Sequence, residues 1–495
     1  MVQARMHDGA IIETADDARD GQVQEQAVSP QRLSAGARRA AGRAARRRLP
    51  RRFHAGWEPR PDRPDPIAIL QAQAATREPD LVPVRYGRML ASPLAFFRGA
   101  PAVMASDLAG TPTSGITVQA CGDAHLVNFG LFGSPERQLV FSLNDFDETL
   151  PGPWEWDLLR LAASVAVAAR ENGCSHKQQH DAARATVRAY REAMLGFAEL
   201  PTLELWYLHM PSDQVLEVVG RLEAEFGLKA PKLAPGRLER VFTRARARDN
   251  LAALAKLTET DGEGIRLASR PPLLVPVREL WAAEDAGRVA EGIALALGSY
   301  RASLREDRRD LLEQFELVDV ARKVVGVGSV GTRCYVALLQ GKGHDDVLFL
   351  QVKQAEASVL EPHLEPSGYP NHGRRVVTGQ RLLQAVLDIF LGWTRGPDGN
   401  DYYVRQLWDM KGGIDPAKLT PGGLGVYGGL CGWTLARAHG RGGDEVAIAA
   451  YLGKSDAFDQ AVATFAVAYA DVNDRDHQAL AAAVAAGKLH AVNDL

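Results

Sequence analysis

The sequence predicts a mixed α+β protein, with two strand-rich stretches set among long helical ones. The first, Gln119 to Arg160, alternates apolar runs with clusters of Asp, Asn and Gly. The second, Val320 to Glu361, joins a glycine-rich turn to β-branched, alternating runs. Residues 175–310 and 413–495 carry mainly helical spacing, with one strand pair expected around GIRLASRPPLLVPV.

In the first stretch, Ile116 to Ala120 reads as a strand that delivers Asp123, His125 and Asn128 onto a loop opened by glycine. Leu139 to Leu143 reads as another and delivers Asn144, Asp145 and Asp147. A turn is expected at Pro151 to Pro153. A helix then starts near Trp154, with Leu158, Leu161, Ala162 and Val165 on one face. Asp, Asn and Gly are ordinary turn residues, and singly they only terminate strands. Together they supply oxygen ligands for a divalent cation and leave one carboxylate to accept a proton.

In the second stretch, Gly326, Gly328 and Gly331 form G-x-G-x-x-G. A dinucleotide-binding turn would enter a helix. Here Thr332 to Leu339 reads as a strand, so a glycine hairpin over phosphates fits better. A third strand, VLFLQVK, ends on Lys353. A helix bearing Glu356 and Glu361 is expected next. Glu361 is the chosen partner of Lys353, with GQRLLQAVLDIFLGW as the alternative pairing helix. DYYVRQLWDMKG, 401–412, gives a strand and a crossing segment, where Arg405, Asp409 and Lys411 face a substrate or form an ion-pair set.

The joint pattern resembles the aminoglycoside phosphotransferase and choline kinase branch of the protein-kinase-like fold. That branch carries H-G-D-x-H-x-x-N, a strand with I-D-F-D, then G-x-x-x-x-D-L-A. This chain reads CGDAHLVN, LVFSLNDFD and GPWEWDLLRLA. The resemblance implies a bilobal α+β fold with a largely helical larger lobe, and ATP and Mg²⁺ as cofactors. It casts Asp123 as proton acceptor, with Asn128 and Asp145 as Mg²⁺ ligands and Asp147 as a secondary one. Lys353, Gly326, Gly328, Ser329 and Gly331 would hold the nucleotide, with Glu361 beside them. His125 and Asp157 would steady the catalytic loop. The partners implied are a nucleotide and a hydroxyl-bearing acceptor, a small molecule or a protein.

In kinases the glycine loop precedes the catalytic loop, whereas here Lys353 follows Asp145. Circular permutation accounts for the inversion, since domain termini often lie close together. It requires the C-terminal helices to lead in space into the catalytic loop, and Lys353 to lie near Asp145. The expected organisation is a disordered basic tail over 1–60, a catalytic part over 61–315, a nucleotide-binding β-rich part over 316–412, and a completing helical part over 413–495. From about residue 45 the chain also resembles domain-of-unknown-function family 2252, through RYGRMLASPLAFFRG, CGDAHLVNFG, NDFDETLPGPWEWD, GVGSVGTRCYV, GQRLLQ and YVRQLWDMKG. Ser142 and Gln354 stand where that pattern usually has acids.

Composition bounds the alternatives. At 495 residues, 46% hydrophobic and 24% charged, the chain can bury a large core. A net charge of -3 gives no reason to expect nucleic acid or membrane binding, and the basic block ARRAAGRAARRRLPRRFH has no interleaved aromatic residues for base stacking. Four scattered cysteines, no apolar signal core and no membrane-length apolar run make a cytoplasmic location the expectation. Arg85, Arg88 and Arg98 read as structural, with phosphate contact as the alternative. Ser455 is the expected cap of a C-terminal helix whose apolar face holds Phe458, Val462, Phe465 and Tyr469. A nucleotide-binding pseudokinase and a nucleotidyl transferase are the rival functions. A metal-dependent hydrolase would leave the glycine hairpin and Lys353 idle.

Overall fold

The computed structural model describes residues 33–492 apart from 263, 281, 282 and 408. An N-terminal helical arm comprises α1 (Ala35–Arg48), α2 (Pro66–Ala74), α3 (Val82–Leu90), α4 (Pro93–Gly99) and α5 (Pro101–Ala109). Two ribbons follow, made by β1 (Thr117–Ala120), β2 (Phe129–Gly133), β3 (Leu139–Leu143) and β4 (Leu150–Pro153). Next come α6 (Trp154–Glu171), α7 (His176–Phe197), α8 (Thr202–Tyr207), α9 (Ser212–Phe226), α10 (Pro235–Arg246) and α11 (Asn250–Leu257). Then come β5 (Thr258–Asp261), β6 (Gly264–Leu267), β7 (Leu274–Pro276), α12 (Val277–Leu280), α13 (Ala283–Ala302) and α14 (Glu306–Leu312). The second half holds β8 (Glu316–Lys323), β9 (Cys334–Gln340), β10 (Val347–Ala355), α15 (His372–Leu383), β11 (Gly392–Arg395) and β12 (Asp401–Gln406). The chain closes with α16 (Pro421–Gly442), α17 (Glu445–Leu452) and α18 (Ala457–Ala485).

The main sheet is antiparallel with strand order β11-β12-β10-β9-β8-β7, so one of its strands comes from before residue 316. Its register sets Lys353 opposite Cys334 on β9 and Tyr403 on β12. β1 pairs with β4, and β2 with β3. The expected turn at Pro151 to Pro153 is therefore strand β4. A two-stranded ribbon leaves one edge of each strand free, so prolines without N–H groups are tolerated there. Around GIRLASRPPLLVPV the strands form but do not pair with each other. β6 pairs with β5, and β7 joins β8 of the main sheet.

Helix α6 is buried on every side from Trp154 to Ala169, not on the single face that periodicity suggested. Its neighbours are α7, α16 and α18. A helix enclosed this way can carry charges only if each finds a partner, and its Asp157 and Arg160 both do. α16 approaches α7 closely because of its glycines. A Cβ on Gly432 would fall 2.3 Å from the Thr186 carbonyl oxygen.

The disordered-tail expectation fails over residues 35–56, and residues 1–32 lie outside the described residues. Arg38 of α1 donates to Asp444 at 2.8 Å and to Glu445 at 2.8 Å. Gly42 lies so close to α17 that a Cβ would fall 2.1 Å from the Ala447 oxygen. Both partners sit some 400 residues away in sequence, so the block looked solvated when read locally. The stretch after β10, with Glu356 and Glu361, is a turn and not a helix, and α15 stops before Gln384. Asp456, not Ser455, stands at the start of α18, without a capping side-chain bond, while Phe458, Val462, Phe465 and Tyr469 are buried as expected. All four cysteines are buried free thiols. Among the described residues no helix is long and apolar enough to cross a membrane.

Gly432→Ala should lower stability by about 1–3 kcal/mol in denaturant melts, through overpacking of α16 on α7. Glu155, buried at the start of α6, accepts the Ser114 N–H at 2.7 Å, and burial pushes its carboxyl up to about 7. The folded state then holds a proton that the unfolded chain releases near pH 4.5. Stability should fall as pH rises from about 4.5 to about 7 and level off above. Glu155→Gln should flatten that decline by roughly 3 kcal/mol, read from melts across the range.

Candidate active site

The site begins where β1 ends. Gly122 adopts φ +83° and lies so close to Glu148 that a Cβ would meet its carbonyl oxygen at 2.2 Å, so glycine is required there. The Asp157 carboxylate on α6 accepts the N–H groups of Cys121 at 2.7 Å and Gly122 at 2.9 Å. His439 Nε2 of α16 lies 3.1 Å from Asp157, and its Nδ1 lies 2.8 Å from the Tyr190 hydroxyl of α7. Three helices thus fix the loop that follows.

On that loop Asp123 forms an ion pair with Arg160 of α6. Burial pushes the Asp123 carboxyl up to about 6, against the pull of Arg160. Its backbone oxygen accepts from Asn128 Nδ2 at 2.7 Å. His125 Nδ1 accepts the Val127 N–H at 3.2 Å, and Nε2 lies 3.8 Å from Asp123 Oδ2. Burial, followed by the charges of Arg98 and Arg160, pushes the His125 imidazole well down, so it stays neutral.

The second loop is tied to the first by the Asn144 N–H, which donates to the Asn128 oxygen at 2.9 Å. Lys353, only 3% exposed, forms an ion pair with Asp147 and lies 3.9 Å from Asp145. The Tyr403 hydroxyl donates to Asp147 at 2.8 Å. Burial opposes charge on both partners, but the pairing overcomes it. Lys353 is held protonated, and Asp147 sits below the usual carboxylate range. Asp145 moves upward, through burial and then the neighbouring Asp147.

The glycine-rich turn joins β8 to β9 and is held from outside by the arm. Arg77 donates to the carbonyls of Val330 and, at 3.0 Å, Gly328, and the Glu78 N–H donates to Gly331 at 2.7 Å. Arg88 donates to the Val325 carbonyl at 2.5 Å. Below the turn lies a cavity of about 740 Å³ lined by Asp123, His125, Asn128, Asp145, Asp147, Gly326, Gly328, Ser329, Lys353 and Glu361. Gly331 is not among its walls. With φ +89° it packs against Arg77 and shapes the turn. Asp157 is also behind the wall, where it supports the loop.

Glu361 does not pair with Lys353. It accepts the Ser358 N–H at 3.1 Å and lies 3.9 Å from Arg375, because the segment that carries it turns instead of forming a helix. The lysine takes its counter-charge from Asp147. Arg405 reaches the cavity, donating to Gln351 at 2.9 Å and to the Asn144 oxygen at 3.1 Å. Asp409 turns away to Arg137 at 2.5 Å. Lys411 is pushed down to about 7 by the charge of Arg405 and then by burial. Sequence reasoning left Tyr403 and Glu148 out. Alternation along β12 would have put Tyr403 on the same face as Arg405.

A family model described as "Uncharacterized protein conserved in bacteria (DUF2252)" matches residues 77–483. No curated protein and no solved structure matches the chain.

Arg77→Ala should loosen the glycine-rich turn without unfolding the sheet. Hydrogen exchange should show faster exchange at 326–331, with protection of β9 and β10 retained.

Proposed function

The chain belongs to the bacterial family DUF2252, and from that premise we propose that it is an ATP- and Mg²⁺-dependent phosphotransferase with a circularly permuted, protein-kinase-like fold. The observation that carries this reading is the meeting of Lys353 with Asp147 and Asp145, the first pair separated by 206 residues of chain. A lysine strand behind a glycine-rich hairpin thereby meets the acids that follow the catalytic loop, as the resemblance requires. The hairpin β8–β9, the lysine strand β10, helix α15 and the strand β12 beside β10 succeed one another in the implied order. The end of α16 supports permutation. A Cβ on Gly443 would fall 2.4 Å from Val118, and one on Gly442 3.0 Å from Gln119, so this late helix ends where β1 enters the catalytic loop.

In this reading an acceptor hydroxyl loses its proton to Asp123 as its oxygen bonds the terminal phosphorus of ATP. The bond from that phosphorus to the β,γ-bridging oxygen breaks, and ADP leaves with the electron pair. A carboxyl raised to about 6 is ionised at neutral pH yet basic enough to take the proton. Asp147 is engaged by Lys353 and Tyr403, which leaves Asn128 and Asp145 as oxygen donors for a cation. Among the described residues no group of three His, Cys, Asp or Glu could hold a metal alone. That sparse donor set suits Mg²⁺, which keeps waters and substrate phosphates in its shell. Bound there, Mg²⁺ would neutralise charge on the phosphate oxygens. Lys353 would exchange part of its pairing with the acids for phosphate oxygens.

Melting of the full chain with ATP and Mg²⁺, against ATP alone, tests this. The wild type should gain about 2.7 kcal/mol at a hundredfold excess over Kd. Asp145→Ala and Lys353→Ala, each compared with its own ligand-free melt, should lose the gain. No gain in the wild type at saturating nucleotide would overturn the proposal. Mass spectrometry of an acceptor modified by the enzyme should show a phosphoryl increment, and a nucleotidyl increment would reassign the transfer.

A further inference from the structure

The cavity holds a cation that the site chemistry above does not use. Arg98, at the end of α4, lines the cavity, and among the described residues no hydrogen bond or ion pair is made by its guanidinium. Its Nε is buried without an acceptor. The other arginines nearby are committed. Arg77 holds Val330 and Gly328, Arg405 holds Gln351 and Asn144, and Arg375 holds the carbonyls of Thr149, Asp147 and Glu356. A half-buried arginine with no protein acceptor is free to take an anion.

Its position says which anion. The Arg98 carbonyl abuts the glycine-rich turn, where a Cβ on Gly328 would lie 3.2 Å from it. The preceding residue is tied to the catalytic loop, since Arg160 donates to the Phe97 carbonyl at 3.0 Å and also pairs with Asp123. Asp123 and Asp145 line the same cavity as Arg98. A cation that shares this cavity with Asp123 and Asp145, its backbone against the glycine turn, is placed to meet the phosphoryl group under transfer.

We propose that Arg98 is a catalytic residue that binds the terminal phosphoryl group of the nucleoside triphosphate, a cation supplied by the N-terminal arm from outside the kinase-like core. This rests on the phosphotransferase reading. The guanidinium fork matches two phosphoryl oxygens, and such an arginine stabilises charge that builds as the phosphoryl leaves. The arm therefore does more than hold the glycine turn: it completes the site.

Calorimetric titration of the full chain with Mg²⁺–ATP and with Mg²⁺–ADP tests the assignment without a known acceptor. Arg98→Ala should weaken ATP binding by roughly tenfold or more and change ADP binding by less than about twofold, a charge-assisted contact being worth that much. Arg98→Lys should recover part of the loss, and it keeps the test usable should the alanine variant misfold. Equal losses for both nucleotides, or no loss for either, would overturn the role. A wild type that binds neither nucleotide would overturn the phosphotransferase reading itself, and this inference with it.

Discussion

A protonated amine buried among carboxylates is the interaction on which the structure turns. Lys353 comes from the main sheet, while Asp145 and Asp147 come from the loop after β3, so their pairing joins the two halves of the molecule. Lys353 is the buried member, while the side chains of Asp145 and Asp147 remain 34% and 26% exposed. Losing the acids would leave the Lys353 ammonium buried without its counter-charge, and an unpaired buried charge typically costs about 3–5 kcal/mol. The sheet is thus held against the loop by a requirement for charge balance.

A second set of polar contacts keeps the loop rigid. Asp157, His439 and Tyr190 draw on α6, α16 and α7, and their bonds end on two backbone N–H groups just before Asp123. Enclosed polar chains of this kind are costly if one member is unmatched. Here each member has its bond, and the Asp123 carboxylate projects from a fixed base. The arm does the same for the glycine turn through Arg77, Arg88 and Glu78, so both walls of the cavity are positioned from behind.

Local pattern revealed what local pattern determines. Strands β1, β3, β9 and β10 formed where alternation put them, and Asp123, Asn128, Asp145 and Lys353 share one cavity. The failures are long-range. α1 looked like a solvated basic block because Asp444 and Glu445 are distant in sequence. Glu361 looked like the partner of Lys353 because it follows the lysine closely, whereas the true counter-charge comes from 206 residues earlier. Burial of α6 on all sides could not be read from its own spacing, since three other helices cover it. Arg98 was indistinguishable from Arg85 in sequence. Only the structure separates them, by giving Arg85 the carbonyl of Gly99 and side chain of Gln73.

The docking of α1 on α17 also sets a timetable for biosynthesis. Arg38 and Asp444 are 406 residues apart in the chain. At roughly 5–20 residues per second, the ribosome exposes the first helix about 20–80 s before its partner exists. During that interval Arg38 and the small face around Gly42 lack their α17 partners, although Arg39 and Arg48 can already meet Glu199 and the Ser114 carbonyl. The contact between α1 and α17 is thus made only after most of the chain has been synthesised.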